Sequence, residues 1–207
     1  MTDIYGEYEA YLPLILEGFI GTLEEFATQY QAETSLKLYE HFHARIKTPE
    51  SMIDKCHRKN LDPGPYAALR EIRDAIGIRI VTGFVDDIYK IVDFIRQQPG
   101  IHIYKEKDYI RSVKPNGYRS YHMIIEVVTP YPDCLGNEEG SYFIEIQLRT
   151  IAMDSWASLE HQMKYKHEIK NPERITKELK RCADELASCD LTMQTIRHLI
   201  QEANQED

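Results

Sequence analysis

Residues 107–122 read KDYIRSVKPNGYRSYH, a turn signal set between two runs with strand periodicity. Pro115-Asn116-Gly117 supplies the turn, because Gly accepts a positive φ and Asn supports it. Before it Ile101 to Ile110 alternates, and after it Tyr121 to Thr129 is rich in β-branched residues, so the spacing predicts strand, loop, strand. Arg111, Lys114 and Arg119 gather around that loop, with Tyr109, Tyr118 and Tyr121 interleaved. Cations suit phosphates and an aromatic face suits a base, so the loop reads as a nucleotide site.

Working outward, 207 residues suffice for one α/β domain with flanking helices. No apolar run approaches the roughly 18 residues of a membrane span, and the N-terminus lacks the layout of a signal peptide. Cys56, Cys134, Cys182 and Cys189 form no CxxC pair, which predicts reduced thiols in a cytoplasm. The seven-residue spacing of Cys182 and Cys189 predicts a buried helix face rather than a disulfide. A net charge of −9 argues against broad nucleic-acid binding through bulk charge. Two basic islands stand out against it. Arg45 to Lys59 holds five cations against Glu50 and Asp54, and Lys105 to Arg119 holds five against Glu106 and Asp108. They predict two compact anion sites, solvated surface charge being the bland alternative.

Tyr8, Leu12, Ile15, Phe19, Leu23, Phe26 and Tyr30 recur at steps of three and four, predicting an amphipathic helix whose period continues through Leu36, Tyr39 and Phe42 toward His43. Thr48-Pro49-Glu50-Ser51 is a well-specified helix start, and Asp62-Pro63-Gly64-Pro65 breaks that helix. With Arg45 and Lys47 just ahead of it, its N-terminus suits phosphate. A short helix follows at Tyr66 to Asp74, then a strand at Gly77 to Thr82 with Arg79 facing away from Ile78 and Ile80. Asp86 to Arg96 is helical. In the strand Tyr142 to Thr150, Ile144, Ile146 and Leu148 share one face, and Glu145, Gln147 and Arg149 the other. A helix from about Ile151 and another through Ile175 to Ile200 complete the chain. His161 and His167 lack the HExxH spacing of a zinc helix.

Five motifs then fall in register: Arg45-x-Lys47-x3-Ser51; Asp74-x2-Gly77-x-Arg79; Lys107-Asp-Tyr-Ile with Lys114-Pro-Asn-Gly-Tyr-Arg-Ser-x-His122; Glu145-Ile-Gln-Leu-Arg-Thr150; and Met153-Asp-x-Trp156-Ala-x-Leu-Glu-His161. Over roughly residues 40 to 167 the chain resembles a small alarmone synthetase of the RelA/SpoT family. Tyr121 stands where that family more often has Leu. The resemblance implies an α/β (α+β) fold, a nucleotidyltransferase-like mixed five-stranded sheet flanked by helices. It implies one synthetase domain over residues 1–207: a helical region at about 1–43, a catalytic core at 44–167 and a C-terminal helix at 168–207.

The implied reaction moves the β,γ-pyrophosphate of ATP to the 3′-OH of GDP or GTP and releases AMP. Asp74 and Glu145 would be Mg²⁺ ligands, with Glu145 also accepting the 3′-OH proton. Arg45 and Arg79 would sandwich adenine, while Lys47, Ser51 and Lys55 hold ATP phosphates. Tyr118 would stack on guanine, and Lys107, Lys114, Asn116 and His122 would position the acceptor. Gln147 and Arg149 would support Glu145. Because no His-Asp dipeptide occurs, the family's hydrolase signature is missing and the chain is expected to be synthesis-only. Relatives form tetramers, so a homo-oligomer is expected, with regulation by alarmone or RNA left open. Two rivals stand: a nucleotidyltransferase that moves a nucleotide instead, and a catalytically silent nucleotide or RNA sensor.

Overall fold

Alternation along Ser141–Thr150 places Ile144, Ile146 and Leu148 in the core at full burial, and the rest of the molecule is layered on that strand. In a computed structural model describing residues 3–165 and 172–203, five strands form one sheet. They are β1 (His41–Ile46), β2 (Ile76–Thr82), β3 (Ile101–Asp108), β4 (Tyr121–Val128) and β5 (Ser141–Thr150), in the order β1-β2-β5-β4-β3. Only β2 and β5 run parallel; the other pairs are antiparallel. The helices are α1 (Tyr11–Thr34), α2 (Pro49–Arg58), α3 (Val85–Arg96), α4 (Ile151–Tyr165) and α5 (Pro172–Ala203). The expected boundary between residues 167 and 168 and the side chain of His167 lie outside the described residues.

One face of the sheet is covered. Ile78, Ile80, Met123, Ile125 and the β5 isoleucines pack with Ile88, Ile91, Val92 and Ile95 of α3 in one core. Helix α1 lies beside α3, with Phe26 stacked on Phe94 at 3.9 Å. The opposite face carries Arg79 of β2 and Glu145 and Gln147 of β5.

Three expectations change. The N-terminal helix does not run toward His43: it ends at Thr34, where Ser35 adopts φ 58° and caps it. Residues 41–46 are strand β1, so residues 1–43 are not wholly helical. HFHARI alternates and finds a partner in β2, which a step-of-three reading of Leu36, Tyr39 and Phe42 could not reveal. The expected helix at Tyr66 to Asp74 is a π-helical turn, Ala67–Glu71, with Asp74 in the loop after it. Cys182 and Cys189 are free and exposed on α5 rather than buried; the buried face of that helix carries Leu179 and Ala183 instead.

Candidate active site

Strand register builds the middle of the site. Across all five strands His43, Arg79, Gln147, His122 and Lys107 lie opposite one another in a single row, and the next row holds Arg45, Gly77, Glu145, Ile124 and Lys105. Cross-strand partners share a face, so both rows project onto the uncovered side. There Arg45, Arg79, Glu145, Gln147 and His43 line a cavity of about 170 Å³ with Gly77 and Ile78.

At one end sits Asp74, held by Lys47 of the β1–α2 connection at 2.5 Å and by Lys55 of α2. Thr48 begins α2 as its N-cap, accepting from the Ser51 amide and donating to Ser51 Oγ at 3.0 Å, with Pro49 at the first position. That start projects Lys55 toward Asp74 one turn after Ser51, which stays exposed. Lys47 is fixed through its backbone as well: its amide donates to Ala75 O at 2.8 Å, and Tyr5 OH donates to its carbonyl at 2.7 Å.

The two carboxylates differ in kind. Burial works to raise the Asp74 carboxyl, but the two ammonium groups outweigh it and hold the group below its ordinary range. Burial raises Glu145, nearby Asp74 raises it further, and Lys55, Lys47 and Arg45 only partly offset them. Among the described residues the buried Asp74 Oδ1 has no hydrogen-bond partner, and the half-buried Glu145 carboxyl is bonded to no other side chain. Two acids from separate stretches of chain, facing cations, match the donor set Mg²⁺ takes when phosphates complete its shell. No group of three or more acids, histidines or cysteines offers a closed metal cage among the described residues.

The other end belongs to the turn. Gly117 N donates to Lys114 O at 2.8 Å, closing Lys114-Pro115-Asn116-Gly117, and Gly117 has φ 90°. A Cβ on Gly117 would stand 2.6 Å from that of Ala183, so glycine is required by backbone conformation and by contact with α5 alike. Asn116 accepts from the Tyr118 amide and donates to Glu160 at 3.3 Å. Tyr118 OH meets His122 Nε2 at 2.7 Å and accepts from Arg149 at 2.9 Å, while Lys114 lies over its ring at 4.7 Å. Burial, then Arg149, Lys114 and Lys107, push His122 down to about 4, so it is neutral near pH 7. Lys107 stays exposed on β3.

The sheet rows therefore bring Arg45, Arg79, Glu145, Gln147, His122 and Lys107 together. Asp74, Lys47 and Lys55 stand at one end and the turn with Tyr118 at the other, while Ser51 is exposed at the start of α2. Arg119 does not serve the site: this cation donates to Ala183 O and pairs with Asp184 at 3.0 Å, tying the loop to α5. Sequence reading gave no role to Asp154, which accepts from buried Arg149 at 2.9 Å and pairs with Arg79 at 3.5 Å. Its signal was its place in the motif opening α4. His43 and Tyr5 were also missed. The alternation HFHARI could have marked His43, but nothing local marks Tyr5.

Residues 44–170 match the family model described as a region found in RelA / SpoT proteins. The chain is 43% identical over 145 residues to the GTP pyrophosphokinase YwaC of Bacillus subtilis, covering 70% of this chain and 67% of that protein. A GTP pyrophosphokinase family protein from Streptococcus pneumoniae superposes with a TM-score of 0.80 at 30% identity, over 98% of this chain and 97% of that one. The small alarmone synthetase 1 of Bacillus subtilis bound to its product pppGpp superposes at 0.76 and 29%, over 92% of this chain and 94% of that one. Motifs brought into two adjacent rows on one sheet face, and a match across the same residues, lead to one conclusion: the chain belongs to the RelA/SpoT family.

Proposed function

We propose that this chain is a GTP pyrophosphokinase of the small alarmone synthetase type, moving the β,γ-pyrophosphate of ATP to the ribose 3′-OH of GDP or GTP. The observation that carries the reading is the pair of carboxylates Asp74, with its buried Oδ1 unpartnered, and Glu145, raised by burial, set among Arg45, Lys47, Lys55 and Arg79 on one open face. In the reaction a bond forms from the 3′-oxygen to the β-phosphorus, the β-phosphorus–oxygen bond to the α-phosphate breaks, and AMP leaves with that electron pair. The 3′-OH proton passes to Glu145, whose raised basicity suits a general base. Such transfer depends on positioning and charge neutralisation, which explains a site rich in cations without a nucleophile.

Arg45 and Arg79 are the planar partners for adenine, a task guanidinium performs and ammonium does not. Lys47, Lys55 and Ser51 receive ATP phosphates at the start of α2. Tyr118 offers guanine its ring, with Lys107, Lys114, Asn116 and neutral His122 around the acceptor. Buried Arg149 holds Gln147 at 3.1 Å and fixes the ground beside Glu145. Asp74 and Glu145 would hold Mg²⁺, which when bound neutralises polyphosphate charge. Free thiols fit a cytoplasmic setting. Exposed Leu191, Met193, Ile196, Leu199 and Ile200 on α5 fit a homo-oligomer, the tetramer that the resemblance implies.

The test is chromatography of products from ATP, Mg²⁺ and GDP or GTP. AMP with guanosine tetra- or pentaphosphate is the expected outcome. Release of inorganic pyrophosphate would mean a nucleotidyltransferase, and binding without turnover a sensor.

A further inference from the structure

Edge strand β3 changes phase at Tyr104. Ile103 pairs with Ile125, yet Lys105 pairs with Ile124 and Glu106 with Met123, so Tyr104 is an extra residue, a β-bulge. Simple alternation would put Lys105 and Lys107 on the same side as Ile101 and Ile103, toward the covered core. The bulge reverses this: Lys105 and Lys107 join the two rows on the open face, and Glu106 and Asp108 turn toward α3.

An edge strand has a neighbour on one side only, so something else must hold this phase. Glu106 accepts from Arg96 at 2.7 Å and 3.4 Å and from Tyr121 OH at 2.5 Å, and Arg96 also donates to Tyr121 OH at 3.1 Å. Asp108 accepts from Tyr89 OH at 3.0 Å. The Tyr121 ring is 4% exposed and meets Tyr89 edge-on at 6.0 Å. The triad thus joins β3, β4 and α3 directly behind Lys107.

We propose that Tyr121, Glu106 and Arg96 are positioning residues for the acceptor nucleotide, clamping the re-phased end of β3 so that Lys105 and Lys107 face its phosphates. The hydrogen bond from Arg96 keeps the Glu106 carboxyl ionised well into acid, against the effect of burial, so the clamp persists across the working pH range. This inference rests on the acceptor reading given above.

Steady-state kinetics with GDP and with GTP test it. Tyr121→Phe keeps the buried ring and removes only the hydroxyl; it is expected to raise KM for the acceptor about five- to tenfold, leaving KM for ATP unchanged. Glu106→Gln, close in volume, is expected to do the same and serves if Tyr121→Phe lowers the melting transition. Because the clamp acts through Lys107, adding Tyr121→Phe to Lys107→Ala should raise acceptor KM less than it does in the wild-type chain. A wild-type chain that makes no product overturns the functional reading and the inference with it. Normal wild-type turnover with acceptor KM unmoved by both single variants, or with ATP KM rising equally, overturns the inference alone.

Discussion

Odd and even residues of β5 live in different worlds. Ile144, Ile146 and Leu148 are fully buried against α1 and α3, each satisfied by contact alone. Glu145, between two of them, is buried enough to be raised, and nearby the buried Asp74 Oδ1 is left without a hydrogen bond. A buried polar group without a partner costs stability, so the first face holds the fold together while the second keeps groups the fold would rather lose. The difference teaches where function sits: on the face whose interactions are unfinished.

The covered face should break by unfolding. Ile146→Ala leaves a cavity beneath the sheet and is expected to lower stability by about 2–5 kcal/mol in denaturant titration, with the turnover of the folded fraction retained. The open face should respond to pH. His122 is lowered from 6.5 to about 4, so the unfolded chain binds the extra proton first. The stability it contributes is present above pH 6.5 and lost as pH falls toward 4. His122→Gln should remove that acid-side loss, on the order of 3 kcal/mol, from the stability–pH curve. Arg79→Ala removes the plane proposed to stack on adenine and is expected to raise KM for ATP about tenfold while the melting transition moves little, because Asp154 keeps its bond from Arg149. Smallest is Thr48→Ala, which removes the α2 cap; about 1 kcal/mol is expected in thermal unfolding.

The same contrast explains what sequence could reveal. Period-two alternation exposed both faces of β5 and the Ile78, Arg79, Ile80 pattern of β2, since side-chain direction is a local property. Local turn chemistry likewise announced Lys114–Gly117 and the Thr48-Pro49 start of α2. Strand β1 was hidden because its partner, β2, lies about 35 residues away in sequence, and a helix period fitted its approach equally well. The reversal at Tyr104 was hidden for a related reason: a bulge exists only relative to the strand it pairs with. Arg119 was misjudged because a cation beside a turn looks the same whether it meets a phosphate or the Ala183 carbonyl. Residue types were legible; partners across the sheet were not.

Glu145→Gln, assayed in one preparation for turnover and for thermal unfolding, weighs the two faces against each other most directly. The raised carboxyl favours the protonated form in the folded chain, so its stabilising effect is present below the unfolded value and lost as pH rises through the folded one. Near neutrality its charge is a burden, and the amide relieves it. The expected result is a rate loss on the order of 10²-fold or more, with a melting transition at neutral pH equal to or above that of the wild-type chain. Near-normal turnover, or a loss of activity that merely follows a lowered melting transition, would contradict the assignment of chemistry to the open face.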